Sequence, residues 1–530
     1  MIFAEYLADQ LFTIGVKYVF GIPGGASIPY IEAFKAAGIE FILTSNEASA
    51  GIMADVTGRL TGIPGVCHAT FGPGATNIST GVGGALLDRS PVIVLTSEMD
   101  DIMIKRTTQM NINHQKLFEP LTKATFRLKA DNVTDVINSA IELSRDNYPG
   151  PVHIGLPSDI AYLDINVSSV SHLAPKSIIH RNDIEGIIGL LRKSHRPLLA
   201  IGLTAARHNI GSDLLNFLSI HKIPVVLTPM AKGLIPEDHS SYAGVLFHAL
   251  SDYLEDIYEK TDLVIGIGYD PVEYNYESWI PDVPILHFDT KETDMPQKVK
   301  SVQYIGQPEE WFGVLKNFNF SSLVFESATI QGIREEMTSV FNGFTDHFGP
   351  VTALKVLQEE IPESAIVTVD VGSHLHLFGQ YWKTNGKSKI IMTNGWSGMG
   401  FAIPASLSAQ LNNPQATVIC VTGDGGFLMM AGEILTARRY NLPVIIVVLS
   451  DGELNLIKLK QSWQNMSLYG TSLFSGNLFC ADSFLGVRIL NADTEEKMRK
   501  VVIEALSINE PVIINAVIDP EDYKWLVVRR

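Results

Sequence analysis

Cysteine is scarce. Three residues in 530, Cys67, Cys420 and Cys480, sit in apolar contexts without metal-ligand spacing. That argues against a disulfide framework or a cysteine-ligated metal site, and points to a reduced, intracellular setting. Basic residues are also few, 40 Lys and Arg against 57 Asp and Glu, for a net charge of −17. A nucleic-acid surface is therefore not expected, and any anionic ligand must be held locally, by a metal ion or by backbone amides. No uncharged apolar run reaches the ~20 residues of a membrane span. The opening "MIFAEYLADQLFTIGV" carries acids and no basic n-region, which predicts an amphipathic helix and no signal peptide. A cytoplasmic protein is expected. Short-period repeats and low-complexity tracts are absent as well.

What the chain has in quantity is alternation. With 46% hydrophobic residues and 18% charged, the composition is that of an ordinary globular protein, and the length suggests roughly three or four domains. Short apolar runs alternate with helical patterns, as βαβ units do. The spacing predicts an α/β protein of three doubly wound parallel-sheet domains, over 1–165, 180–320 and 345–530. In the first, "KYVFGIPGG" and "GVCHATFGPGATN" are strands ending in glycine-rich turns. The second holds "RPLLAIG", "IPVVLTPM" and "TDLVIGIGYDPVEY", and its glycines do not form G-x-G-x-x-G, so a dinucleotide site has little support there. The third has "AIVTVDVGS", "ATVICVTGDGG", "LPVIIVVLSDG" and "PVIINAVID". Polar stretches at 164–183 and around 317–332 read as breaks between domains. First and third domains share one plan of strand, glycine turn and helix.

Asp424 and Asp451 stand 27 residues apart, each beside glycine at the end of an apolar run. A right-handed crossover brings both to the carboxyl edge of one sheet, and adjacent strands would put both carboxylates in reach of one cation. Two carboxylates with exposed carbonyls suit Mg²⁺ or Ca²⁺, and helix N-termini there offer amides to phosphate. An isolated Gly-Asp-Gly is more often a turn with a helix cap. The second aspartate favours a metal-diphosphate site.

Strand, GDG, helix, strand and a second carboxylate is a pattern that resembles the thiamine-diphosphate (ThDP) enzymes, over nearly the whole chain. Among them it is most similar to the acetolactate (acetohydroxyacid) synthases of the FAD-independent, catabolic type. The resemblance implies pyrimidine-binding, middle and diphosphate-binding domains. It implies that Asp424, Asp451 and the carbonyl of Glu453 bind Mg²⁺. Ser450-Asp451 replaces the family's usual paired asparagines. "VFGIPGGASIP" implies that Pro23 and Gly24 border the cofactor and that Gly25 lies near the reacting carbonyl. "TSNEASAGIMADV" implies that Glu47 is the activating carboxyl group, although Asn46 and Ala48 depart from the family's His and Gln. "FGPGATN" implies cofactor contacts from Gly72 to Asn77. "DVGSHLHLF" implies diphosphate contacts at Val371, Gly372, Ser373 and His374, joined by Gly423, Gly425 and Gly426. In "NGWSGMGFAIPAS", Met399 would prop the cofactor and the carbonyl of Ser397 would face its 4′-amino group.

The resemblance implies decarboxylation of pyruvate, or a similar 2-oxo acid, and joining of the fragment to a second 2-oxo acid. Glu47 would act on the pyrimidine ring nitrogen, best from an apolar pocket that keeps it protonated. A helix-start Glu complementing the macrodipole is the plainer reading. In "KRTTQMNINHQKLFEPLTK" the synthases' active-site Gln falls on Gln109 or Met110, with His114 and Gln115 as further candidates, and Lys458 follows the metal loop. His68 stands alone in "CHATFG", without the paired histidines of pyruvate decarboxylases. "IGYDPVEYNYESW", and "GVLFHAL" in place of "GMHG", imply no FAD. The expected assembly is a homodimer or homotetramer with active sites at the subunit interface. Alternatives are another ThDP-dependent 2-oxo acid decarboxylase, a 2-hydroxyacyl-CoA lyase, or a regulatory protein with a degenerate site.

Overall fold

The structure is a computed structural model that describes residues 1–165, 182–316, 327–344 and 346–526. Most of the two polar breaks, 166–181 and 317–326, lies outside the described residues. The end of the second break belongs to a helix, Ser327–Asn342, whose polar face disguised it in the sequence.

The first sheet holds β1 (Tyr18–Gly21), β2 (Glu40–Leu43), β3 (Gly65–Ala69), β4 (Val92–Glu98), β5 (Ala124–Arg127) and β6 (Pro151–Pro157), in the order β2-β1-β3-β4-β6-β5. All its pairings are parallel. β3, β4 and β6 are buried along their whole length, as strands covered on both faces are. The expected N-terminal helix, Phe3–Thr13, buries Phe3, Tyr6, Leu7 and Leu11 in the same core.

The second sheet has β7 (Pro197–Ile201), β8 (Val225–Leu227), β9 (Tyr242–Val245), β10 (Leu263–Ile267), β11 (Ile285–Asp289) and β12 (Ser301–Ile305), ordered β12-β11-β10-β7-β8-β9. Strand order reverses between β7 and β10, the doubly wound arrangement. The third has β13 (Ile366–Val369), β14 (Lys389–Ile391), β15 (Val418–Gly423), β16 (Ile445–Ser450), β17 (Ser483–Phe484), β18 (Val487–Ala492) and β19 (Val512–Val517), ordered β14-β13-β15-β16-β19-β18-β17. Leaving aside the antiparallel edge strand β17, this is the order of the first sheet. The shared plan expected of the two domains is thus a shared topology.

Contacts divide the chain into two units. One comprises Met1–Ser177, Gly395–Gln415 and Met429–Val444, and the other Ile178–Asn394, Ala416–Leu428 and Ile445–Arg530. The first unit therefore takes in two stretches from the third domain. Helix Ala402–Asn412 lies on helix Glu47–Thr61, where Ser408 Oγ donates to the Met53 carbonyl at 2.8 Å.

Candidate functional site

The candidate residues fall into two groups, one in each unit. In the second unit, β15 and β16 are neighbours in register, with Gly423 opposite Leu449. Asp424 and Asp451 therefore leave the same edge side by side. A helix, Asp424–Met430, begins at the first aspartate. Asp424 Oδ1 accepts the Gly425 amide at 2.8 Å, and Oδ2 accepts those of Asp451 and Gly452 at 3.0 and 2.6 Å. Asp451 in turn accepts the Glu453 amide and the Asn455 side-chain amide, both at 3.0 Å. Burial, and after it the charge of Asp424, pushes the Asp451 carboxyl up to about 7. Burial also raises Asp424, against the amides that lower it. A buried Asp424 and a half-buried Asp451 this close raise each other's cost, and a hard divalent cation would remove it. The donor set fits Mg²⁺. Glu453 is paired with Ser472 by hydrogen bonds that run through Gly452 and Leu454 on either side. The Glu453 side chain is engaged by Thr471 and by Lys458, whose Nζ is 3.3 Å away.

The turn after β13 lies one strand over, at the point where the order of this sheet reverses. Asp370 is fully buried and accepts the Thr422 hydroxyl at 2.8 Å, which ties the ends of β13 and β15 together. A Cβ on Gly426 would stand 2.5 Å from Asp370 Oδ2, and one on Gly372 would stand 2.7 Å from the His374 ring. Both positions need glycine for space. A helix, Ser373–Tyr381, opens here with Val371 and Gly372 leading into it. Ser373 Oγ and His374 Nε2 are buried and have no hydrogen-bond partner among the described residues. Burial pushes the His374 imidazole down to about 4. Orphaned polar atoms at a helix N-terminus, beside paired carboxylates, fit a metal-bound diphosphate.

In the first unit, Glu47 is the first residue of helix Glu47–Thr61, whose cap is the Asn46 side chain. The carboxylate is buried and accepts the Asn77 side-chain amide on Oε2 at 3.1 Å. Asn77 belongs to helix Pro73–Leu87. The two helices touch through Gly51 and Gly81, each one turn beyond its site residue, where a Cβ on Gly51 would be 2.9 Å from Gly81 Cα. Only glycine at both places lets the helices close far enough for Asn77 to reach Glu47. Gly74 faces Glu47 Oε1 at the same spot.

One buried carboxylate that sequence reasoning missed stands nearby. Glu433 Oε1 accepts the Ser45 and Asn46 amides, both at 3.0 Å, and so fixes the segment that enters the Glu47 helix. It lies far along the chain, and nothing local marks it.

Gly72, at φ 68°, starts helix Pro73–Leu87, and a Cβ there would meet the Met110 carbonyl at 2.7 Å. It is thus Met110, itself at φ 62°, that packs on the turn, while Gln109 is exposed. His114 is buried, with Nε2 accepting the Gly72 amide at 3.3 Å. Gln115 donates to Glu98. Pro23 and Gly25 are exposed, and Gly24 packs on Thr70, whose Oγ1 a Cβ would meet at 2.3 Å. The Gly24 amide donates to Ser27 Oγ, which also bonds His68 Nε2 at 2.6 Å. Ser397 is exposed and adopts φ 52°, a left-handed conformation uncommon for serine; Met399 beside it is half-buried.

The middle sheet's reversal point is occupied by the chain itself. The amides of Leu203 and Met230 both donate to the buried Glu273 carboxylate, at 3.2 and 3.0 Å. Those of Thr204 and Ala205 donate to the Gly268 carbonyl. A Cβ on Gly202 would lie 2.6 Å from Tyr269 Cα, so backbone meets backbone where a nucleotide would enter such a fold.

Three family models match the chain: the N-terminal TPP binding domain of thiamine pyrophosphate enzymes over residues 1–117, their central domain over 184–315, and their C-terminal TPP binding domain over 370–516. A probable acetolactate synthase large subunit of Methanocaldococcus jannaschii is 30% identical, over 98% of this chain and 92% of its own length. An acetolactate synthase of Bacillus subtilis is 27% identical, over 98% and 93%. The large subunit of acetolactate synthase isozyme 2 of Escherichia coli is 26% identical, over 99% and 97%.

Proposed function

The chain belongs to the thiamine pyrophosphate enzyme family, and from that premise we propose that it is a Mg²⁺-dependent, FAD-independent acetolactate synthase. It would decarboxylate pyruvate and join the fragment to a second 2-oxo acid. The observation that carries the reading is the meeting of Asp424 and Asp451 at one sheet edge, beside the orphaned Ser373 and His374.

In the proposed site, Asp424, Asp451 and the Glu453 carbonyl hold Mg²⁺, while Gly423, Gly425, Gly426 and the turn from Val371 to His374 receive the diphosphate. The bound cofactor supplies the nucleophilic carbon and the electron sink for decarboxylation. Glu47 holds a proton at the pyrimidine ring nitrogen, and Asn77 keeps its carboxyl group aimed. Pro23, Gly24, Gly25 and the turn from Gly72 to Asn77 wall the reacting centre. Ser397 turns its carbonyl to the 4′-amino group and Met399 supports the ring. Gln109 is proposed to meet the acceptor acid. Glu47 and the metal turn are proposed to serve each other across two copies of the chain, as a homodimer or homotetramer. No helix of the described residues is long and apolar enough to cross a membrane, and the reading takes the enzyme to be cytoplasmic.

The FAD-independent part is supported by Glu273 and Gly268, which use the amides a flavin or CoA nucleotide would need. The test is to supply pyruvate, ThDP and Mg²⁺ without FAD and identify the product by NMR. Acetolactate supports the proposal. Acetaldehyde alone makes the protein a simple decarboxylase, and no turnover overturns pyruvate as donor.

A further inference from the structure

Between Gly72 and the far edge of the first sheet runs a line of hydrogen bonds, buried as far as His153 and half-buried at its end. Gly72 N lies 3.3 Å from His114 Nε2. His114 Nδ1 is 2.9 Å from Thr96 Oγ1, and that oxygen is 2.8 Å from His153 Nε2. His153 Nδ1 is 2.6 Å from Thr125 Oγ1. The directions follow from the first bond and from Thr96 Oγ1 having only these two partners among the described residues. A backbone N–H can only donate, so His114 Nε2 must accept. Neutral His114 then carries its proton on Nδ1 and donates to Thr96. The Thr96 hydroxyl is left to donate to His153 Nε2, and His153 Nδ1–H donates to Thr125. The reverse order has no solution, because nothing at Gly72 accepts. A second proton on His114 would set N–H against N–H.

We propose that His114 is a positioning residue, the first link of a one-way hydrogen-bond chain that holds the Gly72 turn and, through it, Asn77 and the Glu47 carboxylate. The inference rests on the assignment of Glu47 given above. Gly72 starts the helix that carries Asn77, and no side chain can replace its hydrogen there, at φ 68° with the Met110 carbonyl 2.7 Å from where a Cβ would be. The turn is thus fixed by Met110 on one side and by His114 on the other. His114 is 2% exposed, so it meets the turn from inside the protein. Burial pushes His114 down to about 4 and His153 well below its usual range, which keeps both imidazoles neutral as the chain requires.

Glu98, His114 and His153 also lie close enough together to suggest a metal site. Their bonding argues otherwise. The Thr96 hydroxyl takes the two imidazole nitrogens that face each other, and the Glu98 carboxylate is held by Gln115 and by Arg127, whose Nε is 2.9 Å away. Glu98 keeps lone pairs, but the imidazole nitrogens that would have to join it on a cation are already engaged.

Two substitutions separate the roles of the ring nitrogens. In His114→Gln the side-chain carbonyl reaches the Nε2 position and can still accept from Gly72. In His114→Asn it reaches only the Nδ1 position, and the Gly72 amide loses its partner. Deuterium uptake by the peptide covering Gly72 to Asn77, followed by mass spectrometry on cofactor-free protein, reads the turn directly. His114→Asn should raise that uptake about tenfold, and His114→Gln should stay within about twofold of wild type. With pyruvate, His114→Asn should lower kcat about tenfold at unchanged KM, and His114→Gln should restore it. Wild-type uptake in His114→Asn overturns the proposal. Raised KM in both variants with unchanged uptake also overturns it, making His114 a substrate contact. Stoichiometric Zn²⁺ binding that either variant abolishes would overturn it in favour of a metal site. If wild-type protein turns over no 2-oxo acid, the functional reading fails while the uptake contrast still decides this one.

Discussion

Asn77 donates to Glu47 at 3.1 Å because the helices that carry them meet, one turn further on, at Gly51 and Gly81. The glycine contact sets the distance and the amide sets the orientation of the carboxyl group. Glu47→Gln keeps the size and the Asn77 bond but removes the acid. It is expected to lower kcat about 10²- to 10⁴-fold while ThDP still binds, as measured by steady-state kinetics beside calorimetric titration. Gly81→Ala should act on the same carboxylate from a distance, since its Cβ would fall 2.7 Å from Gly51 backbone. Wild-type turnover in Glu47→Gln would assign the proton to another group.

His68 gives a pH dependence of known sign. It is fully buried, and burial pushes its imidazole down to about 4 from 6.5. Between those values the unfolded chain takes up a proton that the native protein refuses, so stability is present above pH 6.5 and is lost as pH falls towards 4. The loss amounts to about 3 kcal/mol when complete. Urea unfolding followed at pH 7 and pH 5 should show a falling midpoint in wild type. His68→Gln, which cannot protonate, should show a smaller fall.

Glu273 bridges the exits of β7 and β8 by accepting from Leu203 and Met230. Glu273→Ala leaves two backbone amides without that acceptor, at a cost of about 1–3 kcal/mol each where they are buried. A lowered melting temperature is expected, with no gain of flavin. Gel filtration with excess FAD and an absorbance reading near the flavin band checks both. Retained FAD in wild type would mean that the crevice opens on demand.

The three sheets were legible because parallel strands covered on both faces read as continuous apolar runs. The glycine turns were legible because each ends such a run. Pairing β15 with β16 turned two separated aspartates into neighbours, as the crossover spacing required. What stayed hidden is non-local. Glu433 reaches Ser45 and Asn46 across more than 380 positions, and the left-handed Ser397 has no glycine to announce it. His114 stood out as a candidate in the loop expected to choose the acceptor, but nothing local showed that it is buried. Its buried bond to Gly72 depends on β4 and β6 placing Thr96 and His153 behind it. The helix from Ser327 was lost for the opposite reason, since its apolar stripe of Ile330, Ile333, Met337 and Phe341 is set among polar residues.

The metal turn makes the sharpest division between two similar residues. Asp424 is both a candidate ligand and the acceptor of three amides, those of Gly425, Asp451 and Gly452. On the proposed reading, removing it would cost the cation as well as the shape of both exit loops. Asp451 accepts from its own loop, at Glu453 and Asn455, and an asparagine oxygen can still serve as a ligand. Asp424→Ala should therefore abolish Mg²⁺-dependent ThDP binding, followed by the quenching of tryptophan fluorescence. Asp451→Asn should retain it with Mg²⁺ affinity lowered about tenfold or less, because one charge is lost but the donor remains. It should also stabilise the metal-free protein, since the neutral amide no longer repels Asp424 inside the fold. Equal losses in the two variants would mean that charge, rather than the architecture built on Asp424, governs the site.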